Sequence, residues 1–116
     1  MNRVYYNKLI RDNIPDKIAG KGSECETREL SQEEFEQELL KKVGEEAGAL
    51  PKAGSREELV AELADVVDVI EELKKAKHIS DTELAAAQAE NQKKKGGFAK
   101  RLFLIWSSDD GYKTNE

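Results

Sequence analysis

The sequence has few of the residues that define several common protein classes. Its 116 residues include a single cysteine, Cys25, so a disulfide framework and a cysteine-rich zinc site are both excluded. A reducing cytoplasm is the expected compartment. The longest uninterrupted apolar run covers only residues 102–106, far short of the ~20 residues that a membrane-spanning helix needs. No apolar segment follows Met1, so we expect neither a secretory signal nor a membrane partner.

The composition allows one small hydrophobic core. Hydrophobic residues make up 38% of the chain and charged residues 37%, while aromatic residues contribute only 6%. This apolar fraction is too high for a disordered chain. A chain of 116 residues forms one domain, and its core is small enough that an interface shared between copies would add to its stability.

The charge is distributed unevenly along the chain. The net charge is −5, but residues 29–72 alone carry 14 acidic and 4 basic residues, so both ends are basic. A nucleic-acid polymer is not an expected partner, because proteins that bind one usually present a broad basic face. An acidic middle between basic ends suits a cation held by carboxylates, with an anion bridging to nearby lysine and arginine.

Three segments carry the capping-box pattern that starts an α-helix, a serine followed three residues later by glutamate. They are SQEE at residues 31–34, SREE at residues 55–58 and SDTE at residues 80–83. The pattern predicts helices over about residues 32–50, 56–77 and 81–95. A fourth, short helix is predicted from Pro15 to Gly20 or Gly22. The predicted fold class is mainly α.

Weaker signals lie between and after these helices. Residues 24–30 and 101–106 have strand character, which predicts a short β-ribbon joining the ends of the helical bundle. Residues 107–116 are polar and predict a C-terminal tail. The expected organisation is therefore a single helical domain over residues 1–106, followed by this tail.

Three carboxylates fall on or beside the apolar faces of the two long helices. On the first, Glu46 lies within the apolar arc, about 20° from Leu39. On the second, Glu62 lies about 20° from Leu73, and Asp65 follows one turn later on the same edge. Inward carboxylates are costly unless they are protonated, paired or bound to a metal ion.

Two interpretations of these acids stay open. In the first, they lie at the edge of the interface, where they reach water or pair with Lys42. In the second, they bind a cation together. Because no histidine or cysteine accompanies them, the cation would be a hard one, Mg²⁺ or alternatively Mn²⁺.

Four segments together resemble a known family. They are EE at residues 45–46, ELAD at residues 62–65, YNKLIRDNIP at residues 6–15 and GGFAKR at residues 96–101. In this order and spacing they resemble the MazG-like, all-α nucleoside triphosphate pyrophosphohydrolases. The two outer segments look like the "KLVRDKIP" and "GGFxKR" signatures of a small single-domain branch that removes unwanted nucleotides. The resemblance covers roughly residues 4–106.

The resemblance implies a fold, a metal site and a reaction. Members of this family are helical bundles that assemble as homodimers or dimers of dimers. They bind Mg²⁺ through an E-x-x-E and an E-x-x-D motif, and cleave a nucleoside triphosphate to a monophosphate and pyrophosphate. Glu46 matches the first acid of E-x-x-E, and Glu62 and Asp65 match the second motif. Ala49 stands in place of the second acid of E-x-x-E, which leaves three matched ligands.

The same chemistry suggests roles for other side chains. Glu45 is the candidate general base for the attacking water. Charge that develops on the pyrophosphate leaving group calls for cations. The candidates for binding phosphate are Lys8, Arg11, Lys94, Lys95, Lys100 and Arg101. Alternatives stay open, because lysines in a last helical turn are often only solvated, and Arg11 could form an intrachain ion pair that fixes the amino-terminal segment.

Two other functions are compatible with the sequence. Phosphoribosyl-ATP pyrophosphohydrolase has the same helical fold and metal chemistry, and no residue pattern here identifies the base or sugar. A non-catalytic helical module would keep the bundle and bind a nucleotide or a partner protein at a degraded metal site. Ala49 is the residue that favours this second alternative.

Overall fold

The structure is a computed structural model that describes residues 2–111 of the chain. Within these residues the chain forms four α-helices and one 3₁₀ turn, and no strand. The elements are α1 (Ile14–Gly20), α2 (Gln32–Ala49), the 3₁₀ turn (Leu50–Lys52), α3 (Arg56–Ala76) and α4 (Asp81–Lys95). The predicted mainly α class is confirmed, and each predicted helix is present with boundaries that agree to within about two residues.

The three predicted capping serines all begin helices. Each hydroxyl accepts a hydrogen bond from the backbone N–H three residues later, at 3.2 Å for Ser31, 3.1 Å for Ser55 and 3.0 Å for Ser80. Only α2 has the complete capping box, in which the Glu34 carboxylate accepts from the Ser31 N–H at 3.3 Å. At α3, the Glu58 carboxylate instead accepts from the Gly54 N–H at 2.7 Å.

The predicted β-ribbon is wrong. Residues 24–30 and 101–106 have no strand structure among the residues that the structure describes. A strand persists only where a neighbouring strand accepts and donates its backbone hydrogen bonds, and these two segments belong to different compact units of the chain. The first segment is instead held at its end by Arg28, which donates to both oxygens of Glu34 at 3.2 and 2.7 Å.

The chain divides into two compact units, with the boundary between His78 and Ile79. The expected single domain over residues 1–106 stays a prediction. The polar tail predicted over residues 107–116 falls partly outside the described residues, which end at residue 111.

The first unit is built on an antiparallel pair of helices. α2 and α3 pack against each other, and the 3₁₀ turn that joins them contacts both. At the far end of the pair, the Gln32 side chain donates to the Ala76 carbonyl at 3.4 Å, and Lys77 lies 3.2 Å from Glu36. Leu39 is 2% exposed and is the one buried hydrophobic residue among residues 2–111.

Several large apolar side chains of this unit remain exposed on the two packed helices. They are Leu40, Leu59, Val60, Leu63 and Val67, with exposed fractions of 41–55%. Four of the five lie between residues 59 and 67 of α3, where spacings of one, four and eight residues from Leu59 place most of them along one side of the helix. The packing of α2 on α3 within the first unit therefore leaves part of the apolar surface of α3 uncovered.

The second unit contains α4 and the segment that follows it. α4 ends at Gly96, whose φ of 76° is a backbone conformation that glycine adopts without strain. The large apolar side chains of residues 98–106 are all strongly exposed, from Leu104 at 59% to Phe98 at 97%. In the described part of the chain, no helix is both long enough and apolar enough to cross a membrane.

The capping box of α2 makes the stability of the chain depend on pH. The hydrogen bonds from Arg28, and then that from the Ser31 backbone, lower the pKa of Glu34 from 4.5 to about 2. A carboxyl whose pKa is lower in the folded state stabilises the fold above its unfolded pKa, and this contribution is lost as the pH falls through the folded value. We expect Glu34→Gln to be less stable than the wild type at neutral pH, and the difference to vanish as the pH falls from 4.5 to about 2.

Urea unfolding followed by circular dichroism across this pH range tests the expectation. Glu33→Gln is the matched control, since Glu33 lies in the same first turn of α2 and outside the capping box. A destabilisation by Glu34→Gln that is equally large at both ends of the range would contradict this role for Glu34.

Candidate functional site

Three carboxylates converge near the end of the helix pair that lies next to the 3₁₀ turn. Glu62 and Asp65 are three residues apart on α3 and therefore project from the same side of it. The antiparallel packing of α2 on α3 places Glu46 opposite them. One carboxylate oxygen from each of the three lies within 4.8 Å of the others, and all three residues are half-buried. We refer to Glu46, Glu62 and Asp65 as the acidic cluster.

The acidic cluster fits a hard divalent cation. Its donors are all carboxylate oxygens, which are the ligands that Mg²⁺ and Mn²⁺ prefer. One oxygen from each of the three carboxylates lies within 4.8 Å of the other two, so the three acids are close enough to share one ion after small side-chain movements. Ala49, the last residue of α2, contributes a methyl group and no ligand.

Arg11 contacts the acidic cluster from the amino-terminal segment. Its Nη2 atom donates to Asp65 Oδ1 at 2.9 Å and to Asp68 Oδ2 at 2.9 Å. The hydrogen bond from Arg11 to Asp68 is the main reason that the pKa of Arg11 is raised above its usual value. Arg11 thus forms an intrachain ion pair, which was one of the alternatives compatible with the sequence, and its partners Asp65 and Asp68 lie on α3.

Asp68 is a charged residue beside the acidic cluster that was not predicted from the sequence. It is the third acid of a series spaced by three residues, after Glu62 and Asp65, and each member lies one helical turn from the last. This repeat is visible in the sequence and could have identified it. Its partner Arg11 is 57 residues away along the chain, and no local pattern reveals that distance.

Lys42 holds the α2 side of the acidic cluster. Its ammonium lies 3.5 Å from Glu46 and 3.8 Å from Glu45, and the lysine side chain is only 17% exposed. Within the acidic cluster, Asp65 and Glu46 are therefore each paired with a cationic side chain of the protein. Within residues 2–111, no cationic side chain lies at ion-pair distance from Glu62, so the cluster retains negative charge.

A small cavity opens beside the acidic cluster. Its volume is about 200 Å³, and it is lined by Lys8, Ile10, Arg11, Ile14, Lys42, Glu46 and Asp65. Pockets that enclose a whole drug-sized ligand measure about 300–1,000 Å³, so this cavity suits a smaller charged group. Three cationic side chains beside two carboxylates suit an anion that binds together with a metal ion at the acidic cluster.

A larger cavity of about 470 Å³ lies at the opposite end of the helix pair, and its lining includes Glu36, Glu72 and His78. Both of its carboxylates have lysine partners, with Lys77 at 3.2 Å from Glu36 and Lys75 at 3.9 Å from Glu72. No group of three potential metal ligands lies in its lining among the described residues. The chemistry therefore favours the smaller cavity.

The remaining predicted site residues are Glu45 and four candidate phosphate-binding residues. Glu45 is 53% exposed and shares Lys42 with Glu46. Four of the candidate phosphate-binding residues belong to the second unit, and they are Lys94, Lys95, Lys100 and Arg101. Lys94 pairs with Glu90 of its own helix at 3.2 Å. The two phosphate-binding candidates of the first unit, Lys8 and Arg11, both line the cavity beside the acidic cluster.

Comparisons of this chain with known protein families, with curated proteins and with solved structures find no match in any of the three. The relation to the MazG-like family is therefore a proposal that rests on the motifs and on the geometry of the acidic cluster.

Proposed function

We propose that this chain is a Mg²⁺-dependent nucleoside triphosphate pyrophosphohydrolase of the MazG-like, all-α superfamily, with clean-up of non-canonical nucleotides as a role. The observation that carries the proposal is the convergence of Glu46, Glu62 and Asp65, with oxygens within 4.8 Å, beside a cavity lined by three cationic side chains. The four sequence motifs that resemble this family supply the reaction class.

The acidic cluster is where the cation would bind. When bound, Mg²⁺, or Mn²⁺ in its place, neutralises phosphate oxygens and lowers the pKa of a coordinated water. Lys42 and Arg11 offset part of the repulsion between the three carboxylates, at 3.5 Å from Glu46 and 2.9 Å from Asp65. These two side chains compensate the charge of the acids as long as no metal ion is bound.

Cationic side chains would bind the polyphosphate. Lys8 and Arg11 line the cavity that adjoins the acidic cluster, where they can bind phosphate oxygens and stabilise charge on the leaving group. In the reaction, a water oxygen forms a bond to the α-phosphorus while the bond from that phosphorus to the bridging oxygen breaks. Pyrophosphate leaves with the bridging oxygen, and a carboxylate accepts the proton of the water, a role we assign to Glu45.

A nucleoside triphosphate needs more surface than the cavity of the first unit provides. A cavity of about 200 Å³ suits one or two phosphate groups and leaves the base and sugar outside it. The first half of α3 carries both Glu62 and the exposed residues Leu59 and Leu63. We infer that a second copy of the chain covers this apolar surface, as a homodimer or a dimer of dimers, and extends the cavity.

A non-catalytic binding module is the second candidate function, and Ala49 favours it. Ala49 occupies the position of the fourth family carboxylate and provides no oxygen. With three ligands the protein could bind a cation and nucleotide too weakly for turnover.

The activity itself is the first expectation to test. Purified protein should release pyrophosphate from at least one member of a panel of canonical and modified nucleoside triphosphates, with Mg²⁺ or Mn²⁺ and not with EDTA. Glu62→Gln keeps the shape of the side chain and removes a ligand charge. It should lower the rate by at least about 100-fold, because even residues that only support metal ligands cost 10–100-fold.

Glu57→Gln is the matched control, since Glu57 lies in the first turn of the same helix and outside the acidic cluster. It should retain the wild-type rate. Equal rates for Glu62→Gln and the wild type would contradict the proposed metal site.

Restoring the fourth acid separates the two candidate functions. If the chain is a weakened enzyme, Ala49→Glu should raise the rate of pyrophosphate release at least about tenfold, because a fourth carboxylate would complete the ligand set. Ala47→Glu, on the same helix and exposed, adds the same charge outside the ligand position and should change little. No gain from Ala49→Glu, in folded protein that still binds nucleotide, would favour the binding module.

The proposed assembly is tested by sedimentation at micromolar concentration. The wild type should sediment at two or four times the 13.0 kDa mass of the chain. Leu63→Glu should shift it to the monomer, because a charge would be buried in the interface. Val4→Glu, at a residue that is 70% exposed and outside α3, should leave the assembly unchanged. A wild type that sediments only as a monomer would contradict the assembly.

A further inference from the structure

A single nitrogen of Arg11 joins an acid of the cluster to an acid outside it. Nη2 lies 2.9 Å from Asp65 Oδ1 and 2.9 Å from Asp68 Oδ2. Asp65 belongs to the acidic cluster and Asp68 does not. The two aspartates are one turn apart on α3, so the guanidinium can move away from one while it remains on the other.

The position of Arg11 conflicts with a cation at Asp65. A guanidinium and a divalent ion on the same carboxylate are like charges within a few ångströms, and they repel each other. The ion pairs of Arg11 are exposed to solvent, with exposed fractions of 58% for Arg11, 41% for Asp65 and 57% for Asp68. Exposed ion pairs contribute little to stability, so exchanging one partner costs little.

We propose that Arg11 changes partners when a divalent cation binds the acidic cluster, leaving Asp65 while Asp68 keeps it at the cavity. This inference rests on the proposed function and describes the regulation of that site. Arginine has five N–H donors, so one contact with Asp68 leaves others available for phosphate oxygens. In the absence of a cation, Arg11 neutralises Asp65. When a metal ion is bound, Arg11 leaves Asp65, and its free N–H donors can bind the polyphosphate. Binding of the metal ion thereby favours nucleotide binding.

Asp68 is then a positioning residue, which acts through Arg11 and binds neither ligand. Without Asp68, Arg11 keeps Asp65 as its one partner among the two aspartates and competes more strongly with the cation. The effect of removing Asp68 on cation affinity should therefore depend on the presence of Arg11.

The test measures two affinities with opposite expected signs. Mn²⁺ alone is titrated and followed by electron paramagnetic resonance, and inorganic pyrophosphate is titrated by calorimetry with Mn²⁺ in excess. Arg11→Gln should bind Mn²⁺ about 3- to 10-fold more tightly, because a competing charge is removed. It should bind pyrophosphate about tenfold more weakly, because a charged donor to phosphate is lost. A merely structural role for Arg11 would weaken both.

Asp68→Asn should weaken Mn²⁺ binding about threefold, which is in the range of an exposed ion pair. The double variant Arg11→Gln/Asp68→Asn should bind Mn²⁺ with the affinity of Arg11→Gln, because Asp68 acts only through Arg11. Arg28→Gln is the matched control, since it removes an arginine paired with a glutamate that is not in the acidic cluster. It should change neither affinity by more than about twofold.

The outcomes distinguish this inference from the proposed function. Mn²⁺ binding by the wild type that Arg11→Gln leaves unchanged or weakens overturns the exchange of partners and leaves the metal site standing. Tighter Mn²⁺ binding with unchanged pyrophosphate binding overturns the link to phosphate. Failure of the wild type and of every variant to bind Mn²⁺ overturns both the inference and the proposed metal site.

Discussion

Antiparallel packing of α2 on α3 determines which side chains of this chain meet. The contact between Gln32 and Ala76 defines one end of the pair, at 3.4 Å, and the short 3₁₀ turn defines the other. Between these ends, Leu39 is buried and Glu46 is placed opposite Asp65. A shift of one residue along either helix would rotate a side chain by about 100° and separate the carboxylates. The acidic cluster therefore depends on the register of the helix pair.

Like charges in one place need compensation, and this chain supplies it from two directions. Lys42 comes from the same helix as Glu46, whereas Arg11 comes from a segment that precedes every helix. The amino-terminal segment thus has an electrostatic reason to lie against α3, beyond the half-buried contacts of Ile10 and Ile14. The same contacts bring lysine and arginine beside the acids, which is the mixed-charge surface that a metal-bound anion requires.

The parts of this structure that depend on short-range chemistry could be predicted from the sequence. Ser31 and the two other capping serines begin helices because a hydroxyl satisfies a backbone N–H three residues away, and the periodicity of α2 and α3 placed three acids on facing sides. The absence of a ribbon over residues 24–30 and 101–106 could not be predicted, because the strand character of a segment does not show whether a second strand is present to pair with it. The pairing of Arg11 with Asp68 spans 57 residues and depends on tertiary structure alone.

Leu39 is the one buried hydrophobic residue in the described part of the chain, and this has a thermodynamic consequence for the first unit. Because the first unit removes little apolar surface from water by itself, covering α3 with a second copy, as proposed, would add to the free energy of folding, and mass action governs that contribution. With the proposed second copy on α3, the melting temperature would rise with total protein concentration. The cellular abundance of the chain would then set the fraction that is folded, and with it the fraction in which Glu62 and Asp65 are held in place.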